Sequence, residues 1–147
     1  MKLLEERIQR DGIVREGKWT GIPGFQYQTV RFHELAGKTA GIYGCGAIGE
    51  RFGQMCRSFG MCVLGTRRAK QSGEENGITY VTPDTLLAGS DVVSLHCPLT
   101  KDTKHLINER SIGTMKDGVV IVNTSRGALI ESEALIEGIK KKKISVF

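Results

Sequence analysis

Gly44-Cys45-Gly46-Ala47-Ile48-Gly49 has the spacing Gly-x-Gly-x-x-Gly and follows the apolar run Thr39-Ala40-Gly41-Ile42-Tyr43. The chemistry of such a hexapeptide is non-covalent capture of a dinucleotide pyrophosphate. Gly44 makes the tight turn. Gly46 leaves room where a side chain would strike the anion, and Gly49 lets the next helix pack close on the strand. Free backbone N–H groups and the positive end of the helix dipole then hold the charge. A glycine-rich turn that binds nothing has the same spacing, so the surrounding elements decide.

Three further clusters fall where strands should end. Thr66-Arg67-Arg68 stands where an acid normally reads the adenosine ribose. A carboxylate there repels a 2′-phosphate, whereas a guanidinium pairs with it bidentately, which tilts the coenzyme from NAD towards NADP. Two solvated arginines, or arginines stacked on adenine with NAD bound, are the competing reading. Next come His96-Cys97-Pro98-Leu99-Thr100 and Asn123-Thr124-Ser125-Arg126-Gly127. Arg126 either clamps a carboxylate through two parallel N–H bonds or is an ordinary surface arginine. His96, at the end of an apolar strand, reads as a structural or cofactor-wall residue before a catalytic acid. His33, His96 and His105 lack neighbours at metal-ligand spacing, so no metal site is expected. Ser125 lacks the Gly-x-Ser-x-Gly setting of a nucleophile.

The elements that must position these residues alternate. Strands are expected at 39–43, 61–65, 78–81, 91–95 and 119–123, with a sixth starting at 144. Helices are expected at 47–59, from Thr82-Pro83-Asp84, at 108–115 and at 132–142. Such βαβ units imply a doubly wound parallel sheet of order 3-2-1-4-5-6, a three-layer αβα Rossmann-type fold whose last strand is incomplete. The first sixteen residues read as a helix and 17–24 as a linker. The lead-in from Phe25 to Leu35 has no clear period.

Composition bounds the rest. The chain has 147 residues, room for one domain with a real core. No apolar run approaches the roughly 20 residues of a membrane span, and no signal peptide is legible, so a cytoplasmic location is expected. Cys45, Cys56, Cys62 and Cys97 form no C-x-x-C pair and read as reduced thiols. The net charge is +5, and Lys140-Lys141-Lys142-Lys143 accounts for four of those charges. That run reads as a solvated face, and no nucleic-acid partner is expected.

The sequence resembles the D-isomer-specific 2-hydroxyacid dehydrogenase family. The resemblance is carried by Leu35-Ala36-Gly37-Lys38-Thr39 with the glycine loop and by Ser90-Asp91-Val92-Val93-Ser94-Leu95-His96-Cys97-Pro98-Leu99-Thr100. Met115-Lys116-Asp117-Gly118 and Val122-Asn123-Thr124-Ser125-Arg126-Gly127 complete it. It implies that Ala47 and Ile48 meet the pyrophosphate and that Arg67 reads the ribose. It places Cys97, Pro98 and Thr103 in a wall near the adenosine, and Thr124 and Ser125 beside the nicotinamide. It makes Arg126 the catalytic arginine that binds and polarises a 2-keto acid.

The resemblance also implies a division into an interdomain or dimer helix with linker, 1–34, and a dinucleotide-binding domain, 35–147. The substrate domain is then absent, and the Asp beside the carboxamide, the catalytic Glu and the acid–base His, which come later in the family order, have no match in this chain. The expected function is the NAD(P)-binding segment of an oxidoreductase, inactive alone, that moves hydride between nicotinamide and a 2-keto/2-hydroxy acid. The alternatives are a stand-alone dinucleotide-sensing module and a degenerate remnant. A homodimer through the initial helix is expected as well, because removal of a substrate domain uncovers apolar surface there.

Overall fold

Short β-branched runs that are apolar on both faces favour parallel strands buried between helices. The computed structural model describes residues 11–12, 14–17, 34–68 and 72–145. The chain divides into two units, Met1–His33 with Phe147 and Glu34–Val146. In the first unit the described residues form a helical turn on which Arg15 pairs with Asp11 at 2.6 Å. The rest of the expected initial helix, the linker beyond Gly17 and the lead-in as far as His33 lie outside the described residues.

In the second unit the described strands are β1 (Thr39–Tyr43), β2 (Cys62–Thr66), β3 (Gly73–Glu75), β4 (Ile78–Tyr80), β5 (Val92–Leu95), β6 (Val119–Asn123) and β7 (Ile144–Ser145). They form one sheet of order β3-β4-β2-β1-β5-β6-β7. Without β3 this is the expected order 3-2-1-4-5-6. The addition is β3, antiparallel to β4. Asn76 (φ 52°) and Gly77 (φ 73°) turn the chain between them, and two consecutive positive φ angles at Asn-Gly make a tight hairpin. The expected span 132–142 is corrected at its end: the helix stops at Lys140, and Lys142 has φ 56°. Val146 and Phe147, expected in the last strand, lie outside the described residues.

Four helices connect the strands: α1 (Ala47–Ser58), α2 (Pro83–Gly89), α3 (Glu109–Thr114) and α4 (Ser132–Lys140). Local chemistry starts two of them. Thr82 Oγ1 accepts from the Thr85 amide at 3.3 Å, with Pro83 in the first turn of α2. Asn108 and Ser111 form a reciprocal capping box on α3.

Alternation along the strands divides the apolar residues into two cores. One joins Ala40, Ile42, Val63 and Ile78 to Phe52 and Cys56 of α1. The other joins Val93, Leu95 and Val119 to Leu86, Ile112 and Ala134 of α2, α3 and α4. Helices thus cover both faces, and the expected three layers are present. At the opposite end of the sheet from the glycine loop, Asp91 accepts from the Thr39 amide at 2.8 Å and pairs with Lys116 at 3.2 Å.

Candidate functional site: a rim at the strand ends

Register sets the site. Tyr43 lies opposite both Thr66 and Leu95, and Leu95 lies opposite Asn123. Four parallel strands therefore end level, and the next residues, Arg67, Gly44, His96 and Thr124, share one rim. At about 4.8 Å per strand, that rim spans about 14 Å from Arg67 to Thr124. All the sequence-derived clusters are brought to it.

The three glycines answer to three different constraints. Gly44 has φ +99°, and a Cβ there would stand 2.9 Å from the Cys97 amide nitrogen. Only glycine tolerates both the conformation and the contact. At Gly49 a Cβ would run into the Gly44 carbonyl oxygen and would meet Ile42 Cγ2 at 3.1 Å, so the helix sits hard against the turn. A Cβ on Gly46 would meet nothing within 4 Å. Gly46 caps α1 without any side-chain hydrogen bond, so the first turn presents its backbone donors outward. Ala47 is exposed and Ile48 is 74% exposed. Open space above the Gly46 backbone at a helix N-terminus fits a dinucleotide pyrophosphate.

Beneath the loop, Cys45 donates its amide to the Thr66 carbonyl at 2.8 Å. Its thiol is pushed up to about 11, first by burial and then by the Glu50 carboxylate. It is a packed, protonated group and not a nucleophile.

At the end of β2, Thr66 is only 8% exposed. Its hydroxyl accepts from the Gly44 amide at 3.2 Å, so it holds the loop from below. Arg67 reaches back to α1 and pairs with Glu50 at 3.1 Å. Arg68 is exposed.

After β5, the His96 ring tilts against Phe52 of α1 with centroids 5.2 Å apart, and its Nε2 lies 2.9 Å from Ser94 Oγ. Burial lowers its pKa and keeps the imidazole neutral. Cys97 turns its thiol into the core and gives its main chain to the rim. Pro98 is exposed, and its carbonyl accepts from Thr103 Oγ1 at 2.7 Å. The same hydroxyl accepts from the Thr100 amide at 2.8 Å. Thr103 thereby closes the turn that forms this wall.

After β6, Ser125 Oγ donates to the Leu95 carbonyl at 2.9 Å and ties the two strand ends together. Thr124 and Arg126 are exposed, and Arg126 Nη1 donates to the Ser125 carbonyl at 3.0 Å. Two contributors escaped the sequence reading. Asn123 Oδ1 accepts from the Ser125 amide at 3.0 Å, and its Nδ2 donates to the Arg126 carbonyl at 2.9 Å. An Asn two residues before a turn is a legible signal for this clamp. Glu50, the partner of Arg67, had none. Among the described residues no group of three His, Cys, Asp or Glu side chains is placed to hold a metal ion. No described helix is long and apolar enough to cross a membrane.

A parallel doubly wound sheet with a glycine turn at its centre defines a dinucleotide-binding Rossmann domain. The family model described as "D-isomer specific 2-hydroxyacid dehydrogenase, NAD binding domain" matches residues 1–147, and the chain belongs to that family. It is 42% identical over 131 residues to a hydroxypyruvate reductase of Thermotoga maritima, covering 89% of this chain and 40% of the relative. It is 50% identical over 111 residues to a D-lactate dehydrogenase of Escherichia coli, covering 75% and 34%. The apo structure of D-lactate dehydrogenase from Escherichia coli superposes with a TM-score of 0.73 at 42% identity, covering 90% of this chain and 43% of that one. The chain spans about two fifths of the length of the curated relatives it matches.

Proposed function

We propose that this chain is the coenzyme half of a D-2-hydroxyacid dehydrogenase, with the dinucleotide stretched along the rim from Arg67 to Thr124. One observation carries the reading. Gly46 opens onto empty space at a helix N-terminus that no side chain covers by a capping bond, while Gly44 and Gly49 are hemmed in. The pyrophosphate sits on the Ala47 and Ile48 backbone, since the Gly46 amide already donates to the Gly44 carbonyl at 3.0 Å. The adenosine end lies towards Thr66, Arg67 and Arg68, against the wall of Cys97, Pro98 and Thr103. The two arginines favour NADP over NAD, because a guanidinium gains a partner in a 2′-phosphate.

The nicotinamide, beside Thr124 and Ser125, supplies the hydride when bound. Arg126 meets the carboxylate of a small 2-keto or 2-hydroxy acid. Among the described residues its exposed guanidinium donates to the neighbouring Ser125 carbonyl alone, and the fork can take an acid in the bidentate manner. General acid–base groups contribute about 10²–10⁴-fold, and the neutral, stacked His96 is unsuited to that role. Turnover therefore requires an acid–base pair other than His96, and the chain alone is inactive. A homodimer and a cytoplasmic location belong to the same proposal. The four free cysteines support the location. The test is calorimetric titration with NADH and NADPH. Saturable binding of at least one is expected, and heat from neither overturns the reading.

A further inference from the structure

The Arg67–Glu50 pair ties two residues seventeen apart in sequence, one at the end of β2 and one in the first turn of α1. Their side chains are 44% and 26% exposed, so the pair sits at the edge of solvent and can open. Glu50 is also favoured where it stands, since a carboxylate in the first turn complements the helix dipole. Glu50 follows Gly49 directly and its amide donates to the Gly46 carbonyl at 2.8 Å, which places the pair against the glycine loop.

We propose that Glu50 is a specificity-determining residue that restrains the preference for a 2′-phosphorylated dinucleotide. The inference rests on the coenzyme reading above and deepens it. A 2′-phosphate that engages Arg67 competes with the Glu50 carboxylate for the guanidinium and lies beside a like charge. A coenzyme with a 2′-hydroxyl leaves the pair intact. The residue in the usual reading position is cationic, but its charge is offset by a carboxylate delivered from the helix. Selection between the coenzymes is thus an exchange of anions on one guanidinium.

The full chain and its Glu50→Gln, Arg67→Gln and doubly substituted forms are titrated calorimetrically with NADPH and NADH, each checked for folding by circular dichroism. Glu50→Gln should tighten NADPH on the order of tenfold, with NADH changing less than about twofold. The gain should vanish when Arg67→Gln is present. Glu50→Ala provides a second removal of the charge and should behave alike. Equal shifts for both coenzymes, no shift, or a gain that survives without Arg67 would each overturn the role of Glu50 while leaving the coenzyme site standing. Binding of neither coenzyme to the unsubstituted chain would overturn the site and the inference together.

Discussion

Thr66 Oγ1 accepts the Gly44 amide at 3.2 Å across two strands. The first residue of the glycine loop is therefore held by the last residue of β2, so the loop's shape depends on a hydroxyl that faces inward. Thr66→Val keeps the volume and removes the acceptor. It is expected to cost about 1–2 kcal/mol of stability by leaving a part-buried donor unmet and to weaken NADH binding. Thr66→Ser should restore both. Denaturant melts paired with titrations check this, and a fully stable Thr66→Val with unchanged affinity contradicts it.

The glycines separate folding from binding. Gly46→Val enters open space, so it should lose no more than the roughly 1 kcal/mol of a poorer helix cap while NADH binding is lost. Gly49→Ala forces a Cβ onto the Gly44 carbonyl and Ile42 and should lose about 1–3 kcal/mol. Were the two variants to fail in the same way, the assignment of separate roles would be wrong.

Asp91 gives the fold an acid-sensitive joint. Burial raises its pKa, but the Thr39 amide and Lys116 outweigh it, and the net shift is below the ordinary value of 3.8. A depressed carboxylate stabilises the folded chain above its unfolded pKa, and that contribution fades as pH falls through the folded value. Asp91→Ala should cost about 1–3 kcal/mol at pH 7. The gap to the parent should narrow below about pH 4. Urea melts between pH 7 and pH 3 test it, and a pH-independent gap would show that the charge is irrelevant.

In the proposed reading Arg126 serves the substrate and not the coenzyme. Arg126→Lys should leave NADH affinity of this chain within about twofold of the parent, because the hydrogen bond its side chain makes among the described residues goes to the Ser125 carbonyl. In the protein completed by its substrate domain, the same change should lower kcat/KM for a 2-keto acid on the order of 10²–10³-fold, since an ammonium cannot reproduce the fork of a guanidinium. Steady-state kinetics decide, and unaltered turnover removes Arg126 from the reaction.

Local signals carried most of the fold. Thr82-Pro83 and Asn108 announce helix starts because capping is settled within four residues. The Gly44 to Gly49 spacing announces the turn because each glycine answers to its own neighbours. The β3 hairpin was missed although Asn76-Gly77 marks it. Gly73, Glu74 and Glu75 are polar and exposed, and such an edge strand has no apolar alternation to reveal it. The Arg67–Glu50 pair was not legible at all. It depends on where a strand end and a helix start meet in space, which spacing along the chain does not encode. Asn123 lies between these cases: its clamp is local, but its importance appears only once Ser125 and Arg126 are seen on the rim.

Of the four cysteines, three are buried and Cys62 alone faces solvent. It opens β2, a strand's length from the rim. A maleimide dye would therefore attach to a single atom, and fluorescence could follow coenzyme arrival without an obstacle in its path.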